Sequence, residues 1–183
     1  MSKPRETYRT RVSGFWSPKH TFLDEDGKEI GKLTVRRNRV GLIVGAEYRP
    51  ERGEVLDFRR EPGLLRAQFS VWTEGREWLG SSIRQGIARR TVELWTSTRP
   101  YRLVPRLGFS RGWRMVATKT GLVAEIQHGL LSRNATLEVH RKLDFELLLL
   151  GYFVGNLALN ESLPPTSLEA QDRTSGAARP SRA

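Results

Sequence analysis

The chain has 183 residues, with 31 lysines and arginines against 20 aspartates and glutamates, a formal net charge of +11 and no cysteine. One domain with a sizeable core fits that length. The missing thiols exclude disulfides, thiolate zinc sites and cysteine nucleophiles, and the basic balance points to an anionic partner, either nucleic acid or a lipid headgroup surface.

In chain order, residues 1–8 are polar and lack the apolar core of a signal peptide, so they read as a flexible N-terminus and secretion is not expected. The folded domain is expected over residues 9–160. Its strongest hairpin signal is Asp26-Gly27, between the runs His20–Leu23 and Glu29–Val35. The loop Asp24-Glu25-Asp26-Gly27 is too short for an EF-hand and reads more simply as this turn than as a weak calcium site. Next, Asn38 is a turn residue between the apolar runs Ile30–Val35 and Val40–Val44, and three arginines flank it: Arg36, Arg37 and Arg39. A hairpin tip cannot point far into a fold, so at least two of these guanidiniums are expected to reach solvent together.

Further along, Leu65, Ala67, Phe69 and Val71 alternate with Arg66, Gln68, Ser70 and Trp72. Leu122, Ala124 and Ile126 alternate with Val123, Glu125 and Gln127, and Leu137 and Val139 with Thr136, Glu138 and His140. Turn signals separate such runs at Arg52-Gly53, Pro62-Gly63, Glu74-Gly75, Thr120-Gly121 and His128-Gly129. Ten to twelve candidate strands and one helix follow, without strand–helix alternation, so the fold class is mainly β, a sandwich or a barrel. Gly108-Phe109-Ser110-Arg111-Gly112 matches a nucleophile elbow, but that motif needs a helix after it and the following WRMVAT reads as a strand. The match is taken as coincidence, and no catalytic residue is assigned. His20, His128 and His140 show no metal-ligand spacing, so neither a metal nor a cofactor is expected. Strand phase turns Trp72 and Trp95 outward. A one-residue slip would reverse that, and tryptophan is usually well buried, so core packing is expected.

The run Asp144–Asn160, DFELLLLGYFVGNLALN, is the most apolar in the chain. Its apolar part, Leu147–Leu159, would be roughly 20 Å of helix, short of the roughly 30 Å a membrane span requires. Asp144 is a good N-cap, its carboxylate suited to accept from first-turn N–H groups. Because the helix is apolar all round, it must be surrounded, and a β-barrel lumen would surround it. Residues 161–183, rich in Ser, Pro, Thr and Ala, bury too little apolar surface to order and read as a disordered tail.

The order of parts resembles the tubby C-terminal-like superfamily, which includes LURP-one-related and phospholipid-scramblase-type proteins. The resemblance rests on the strand–DG turn–strand unit TFLDEDGKEIGKL and on the closing AEIQHGLLSRNATLEVHRKLDFELLLLGYFVGNLAL, and covers roughly residues 9–160. It implies a closed antiparallel barrel of about twelve strands around a central C-terminal helix over about 144–159. It also implies a non-enzymatic protein that binds anionic phospholipid headgroups at a membrane surface, cytoplasmic and peripheral, with no transmembrane span. The same charge fits nucleic-acid binding, and a protein-interaction scaffold without ligand is a further alternative. Candidate anion-binding residues are Arg36, Arg37, Arg39, Arg99, Arg102 and Arg106. Arg59, Arg60, Arg89 and Arg90 form further basic clusters.

Overall fold

A computed structural model describes residues 4–14, 18–61, 68–84, 91–97, 99–106, 112–129 and 133–158. Twelve strands follow one another: β1 (Glu6–Ser13), β2 (Lys19–Leu23), β3 (Glu29–Arg37), β4 (Ile43–Pro50), β5 (Leu56–Arg60) and β6 (Phe69–Thr73), then β7 (Trp78–Arg84), β8 (Val92–Trp95), β9 (Tyr101–Pro105), β10 (Gly112–Ala117), β11 (Gly121–His128) and β12 (Ala135–Val139). Each pairs antiparallel with its chain neighbours, and β1 closes on β12 through Glu6↔Val139, Thr7↔Glu138, Tyr8↔Leu137 and Arg9↔Thr136. Closure leaves no edge strand to be protected from association. The alternation seen in the sequence is the alternation of lumen and wall: Phe69 and Val71, Ala124 and Ile126, Leu137 and Val139 all face the core and are buried.

The chain then enters the lumen. Helix α1 (Phe145–Tyr152) passes without a break into a π-helical segment, Phe153–Ala158. Every residue from Leu147 to Asn156 is buried. Its neighbours lie around the whole wall. Phe153 meets Phe58 of β5 and Phe69 of β6, with ring centroids 5.2 and 5.1 Å apart. Tyr152 meets Phe22 of β2 at 5.2 Å, and Phe145 meets Tyr8 of β1 at 4.9 Å. Gly151 lies so close to Met115 of β10 that an added Cβ would be 2.6 Å from its Cε. The helix is therefore the core, and the wall is its solvent.

Turn chemistry agrees with the sequence at the first hairpin. Gly27 holds a φ of +79°, which favours glycine, and Lys28 N–H donates to the Asp24 carboxylate at 2.8 Å. Several expectations are corrected. Residues 6–8, assigned to a flexible N-terminus, belong to β1, because β12 needs a partner and Glu6 to Tyr8 supply it. Asp144 sits at the N-cap with extended backbone, but its side chain makes no capping bond. Its carbonyl instead accepts from Leu147 N–H and Leu148 N–H. Trp72 and Trp95 point outward, as strand phase demanded, and Trp95 is 43% exposed, so their expected core packing is wrong. Leu65, Ala67, Arg66 and the 161–183 tail lie outside the described residues.

Among the described residues no helix is long and apolar enough to cross a membrane. The outer wall carries Lys32, Arg36, Glu47, Arg49, Asp57, Arg59 and Arg102, charges that interrupt, among the described residues, the apolar band a lipid-embedded barrel needs.

Candidate functional site

Odd-numbered strands run toward one end of the barrel and even-numbered strands away from it, so the β3–β4 hairpin tip and the start of α1 lie at opposite ends. The tip is tightly built. Asn38 Oδ1 accepts from Val40 N–H at 3.0 Å and Leu42 N–H at 2.9 Å. Asn38 N–H donates to Leu42 O, and Gly41 N–H to Asn38 O. Gly41 takes a φ of +87°, and Arg37 Nη1 donates to Gly41 O at 2.9 Å. These bonds consume the polar groups of the turn and leave its apolar side chains outside. Val40 is 83% exposed, Leu42 46% and Val44 38%. Arg37 and Arg39 are exposed beside them. Three aliphatic side chains in solvent next to two arginines form an amphipathic tip.

The six candidate arginines do not form one site. Arg36, Arg37 and Arg39 share the hairpin, but the Arg36 guanidinium is bound to the Asp57 carboxylate and to Phe58 O. Arg59 binds the other oxygen of Asp57 at 2.6 Å, so two guanidiniums share one carboxylate and leave net positive charge. Arg60 is exposed at the end of β5, toward the same end of the barrel. Arg99 lies at the opposite end, its Nε donating to Tyr101 Oη at 2.6 Å and its guanidinium 5.2 Å over that ring. Arg102 sits on the outer wall of β9, 3.8 Å from Glu93. Arg106 is only 17% exposed and lies 3.8 Å from the buried Glu125. Arg89 and Arg90 fall outside the described residues.

Two polar clusters escaped sequence reasoning. Inside the lumen, His20 Nδ1 lies 2.8 Å from Tyr152 Oη, and the His128 ring stacks 6.4 Å from Tyr152. Burial pushes the phenol up to about 12, so it stays protonated and donates to the imidazole. Burial, with Arg133 and His128 nearby, lowers His20 to about 4 and keeps it neutral. Among the described residues its Nε2 has no hydrogen-bond partner. His20 reads in the sequence as an ordinary strand residue, and only its place in the period-two pattern, between buried neighbours, could have flagged it.

On the wall, single donor atoms of Glu125, Glu138 and His140 come within 4.8 Å of one another. The ligand types suit a divalent cation. However, Arg114 Nε donates to Glu125 at 2.7 Å, and Gln127 Nε2 bridges Glu125 and Glu138 at 3.2 and 3.3 Å. With Arg106 also adjacent, cationic charge already occupies the site, and the cluster works as an ion-pair network around the buried Glu125. Of the nucleophile-elbow match, residues 108–111 lie outside the described residues, while Gly112 begins strand β10. Compared with protein-family models, with curated proteins and with solved structures, the chain finds no match.

Proposed function

We propose that this protein is a non-catalytic, tubby-like barrel that docks peripherally on an anionic phospholipid surface through the tip of the β3–β4 hairpin. The observation that carries this reading is the exposure of Val40 and Leu42 between Arg37, Arg39 and the Arg36–Arg59 pair. Guanidiniums form bidentate hydrogen bonds with phosphate. Aliphatic side chains at the same tip gain by entering the headgroup–acyl boundary, a gain that a nucleic-acid phosphate rail does not offer. The family assignment is supported by the strand–DG turn–strand opening, the closed meander of twelve strands and the helix that follows Asp144 into the lumen. A cytoplasmic, peripheral location fits a barrel whose outer wall is charged.

Vesicle sedimentation tests the reading. Each exposed cation near an anionic membrane contributes about 1 kcal/mol, and about 1.4 kcal/mol is a decade in affinity. The double variant Arg37→Ala/Arg39→Ala should therefore bind phosphatidylserine-containing vesicles about 25-fold more weakly. Val40→Asp should also weaken binding, and neither change should move the melting temperature, because no core contact is lost. Binding should fall steeply with added salt. Equal binding by wild type and the double variant would refute the site. Wild-type binding to oligonucleotides but not to vesicles would replace the lipid with nucleic acid.

A further inference from the structure

The end of the barrel opposite the hairpin holds a cleft of about 620 Å³, formed where α1 enters the lumen. That volume lies in the range of small-molecule sites. Its apolar lining includes the rings of Tyr48, Trp78 and Phe145, with Leu56, Leu79 and Leu147. The Tyr48 ring is fixed: its hydroxyl donates to Ile30 O at 3.2 Å, and its centroid lies 5.9 Å from that of Phe145. Tyr48 is buried behind this lining and fixes Phe145, while the half-buried rings of Trp78 and Phe145 face the cleft between the β4–β5 and β6–β7 turns.

The polar lining is strongly one-sided. Glu54, Glu77, Asp144 and Glu146 face the cleft, with Arg52 as the only basic residue of its lining among the described residues. Among the described residues, none of these four carboxylates has a salt bridge, and Asp144 does not use its side chain to cap the helix. Asp144 and Glu146 offset the positive N-terminal end of α1, but that end carries only about half an elementary charge. Arg52 adds one more, so the four carboxylates leave the lining itself net negative, and Arg99, held just outside it by Thr96 and Tyr101, does not reverse that sign. Burial first and then Glu146 raise the Tyr48 phenol above its ordinary range, which reflects the same low-dielectric, negative surroundings.

Aromatic faces together with unpaired carboxylates recognise one kind of guest. The negative face of an aromatic ring attracts a cation, and carboxylates at the rim supply long-range attraction without needing a hydrogen bond from it. We infer that this cleft binds an organic cation with an apolar body, of the aryl- or alkylammonium class, with the body against Trp78 and Phe145 and the charge among Glu77, Asp144 and Glu146. The site is independent of the hairpin, and with the hairpin on a membrane it would face away from the surface.

The probe is phenyltrimethylammonium, whose charge cannot be met by hydrogen bonds, followed through the indole N–H resonance of Trp78, identified by its loss in Trp78→Phe. Saturable binding at millimolar concentration or below is expected, with much weaker binding of the neutral isostere tert-butylbenzene and none of benzenesulfonate. Glu77→Gln/Glu146→Gln should weaken phenyltrimethylammonium about tenfold, equivalent to about 1.4 kcal/mol. Arg52→Ala, at an exposed turn position that does not endanger folding, should tighten it severalfold. Equal or better binding of benzenesulfonate, no saturable shift with the cation, or affinities unchanged in both variants would overturn the inference.

Discussion

Lowering the pH should destabilise this barrel through one buried imidazole, and the size of the effect follows from its surroundings. His20 is 4% exposed, its Nδ1 accepts from Tyr152, and its own burial first, then Arg133 and His128, disfavour its charged form. Its ordinary value of 6.5 falls to about 4 in the fold. The unfolded chain therefore takes up the proton first as the pH drops. Stability from the neutral ring is fully present above about pH 6.5, is lost progressively toward about pH 4, and changes no further below that. A displacement of about two and a half pKa units corresponds to roughly 3 kcal/mol at about 1.4 kcal/mol per unit. For a chain of this size that is roughly 10 °C in melting temperature.

The assay is urea unfolding followed by circular dichroism at several pH values between about 7.5 and 4, for wild type and His20→Gln. Glutamine keeps an acceptor for the Tyr152 hydroxyl and does not titrate, so acid effects from carboxylates elsewhere cancel in the comparison. Wild type should be the more stable protein at neutral pH and should lose roughly 3 kcal/mol relative to the variant on acidification. Parallel stability curves for the two proteins would refute the argument that a neutral, desolvated His20 belongs to the fold.

Two further changes probe the lumen. Leu149 is 0% exposed at the middle of α1, so Leu149→Ala should cost about 2–5 kcal/mol in thermal or urea unfolding, and Leu149→Asp should abolish the cooperative transition, because a buried carboxylate without a cationic partner is very costly in an apolar core. At Gly155 a new Cβ would lie 2.9–3.0 Å from Cδ1, Cγ and Nε1 of Trp113. Gly155→Ala should therefore destabilise by about 1–3 kcal/mol despite a helix-propensity gain of about 1 kcal/mol, and a raised melting temperature would contradict that packing.

Features that depend on local rules were legible in the sequence: the Asp-Gly turn, the period-two strands and a helix too short to span a bilayer and too apolar to be exposed. That the helix must be enclosed followed from its all-round apolar surface, whereas strand pattern alone left both a sandwich and a barrel open. The tertiary structure decided matters that depend on what lies across the wall. Val40 and Leu42 read as the start of a strand, but the Asn38-centred bonds of the tip turned them outward. Arg36, Arg102 and Arg106 read as free cations, but register brought Asp57, Glu93 and Glu125 to them from neighbouring strands. His20 looks like an ordinary polar residue until closure buries it in the lumen, and Glu125 until Arg106 and Arg114 from neighbouring segments close over it on the wall. Composition and period fix which way a side chain faces, whereas its charge state and its freedom to bind are set by partners far away in the chain, which only the closed barrel brings together.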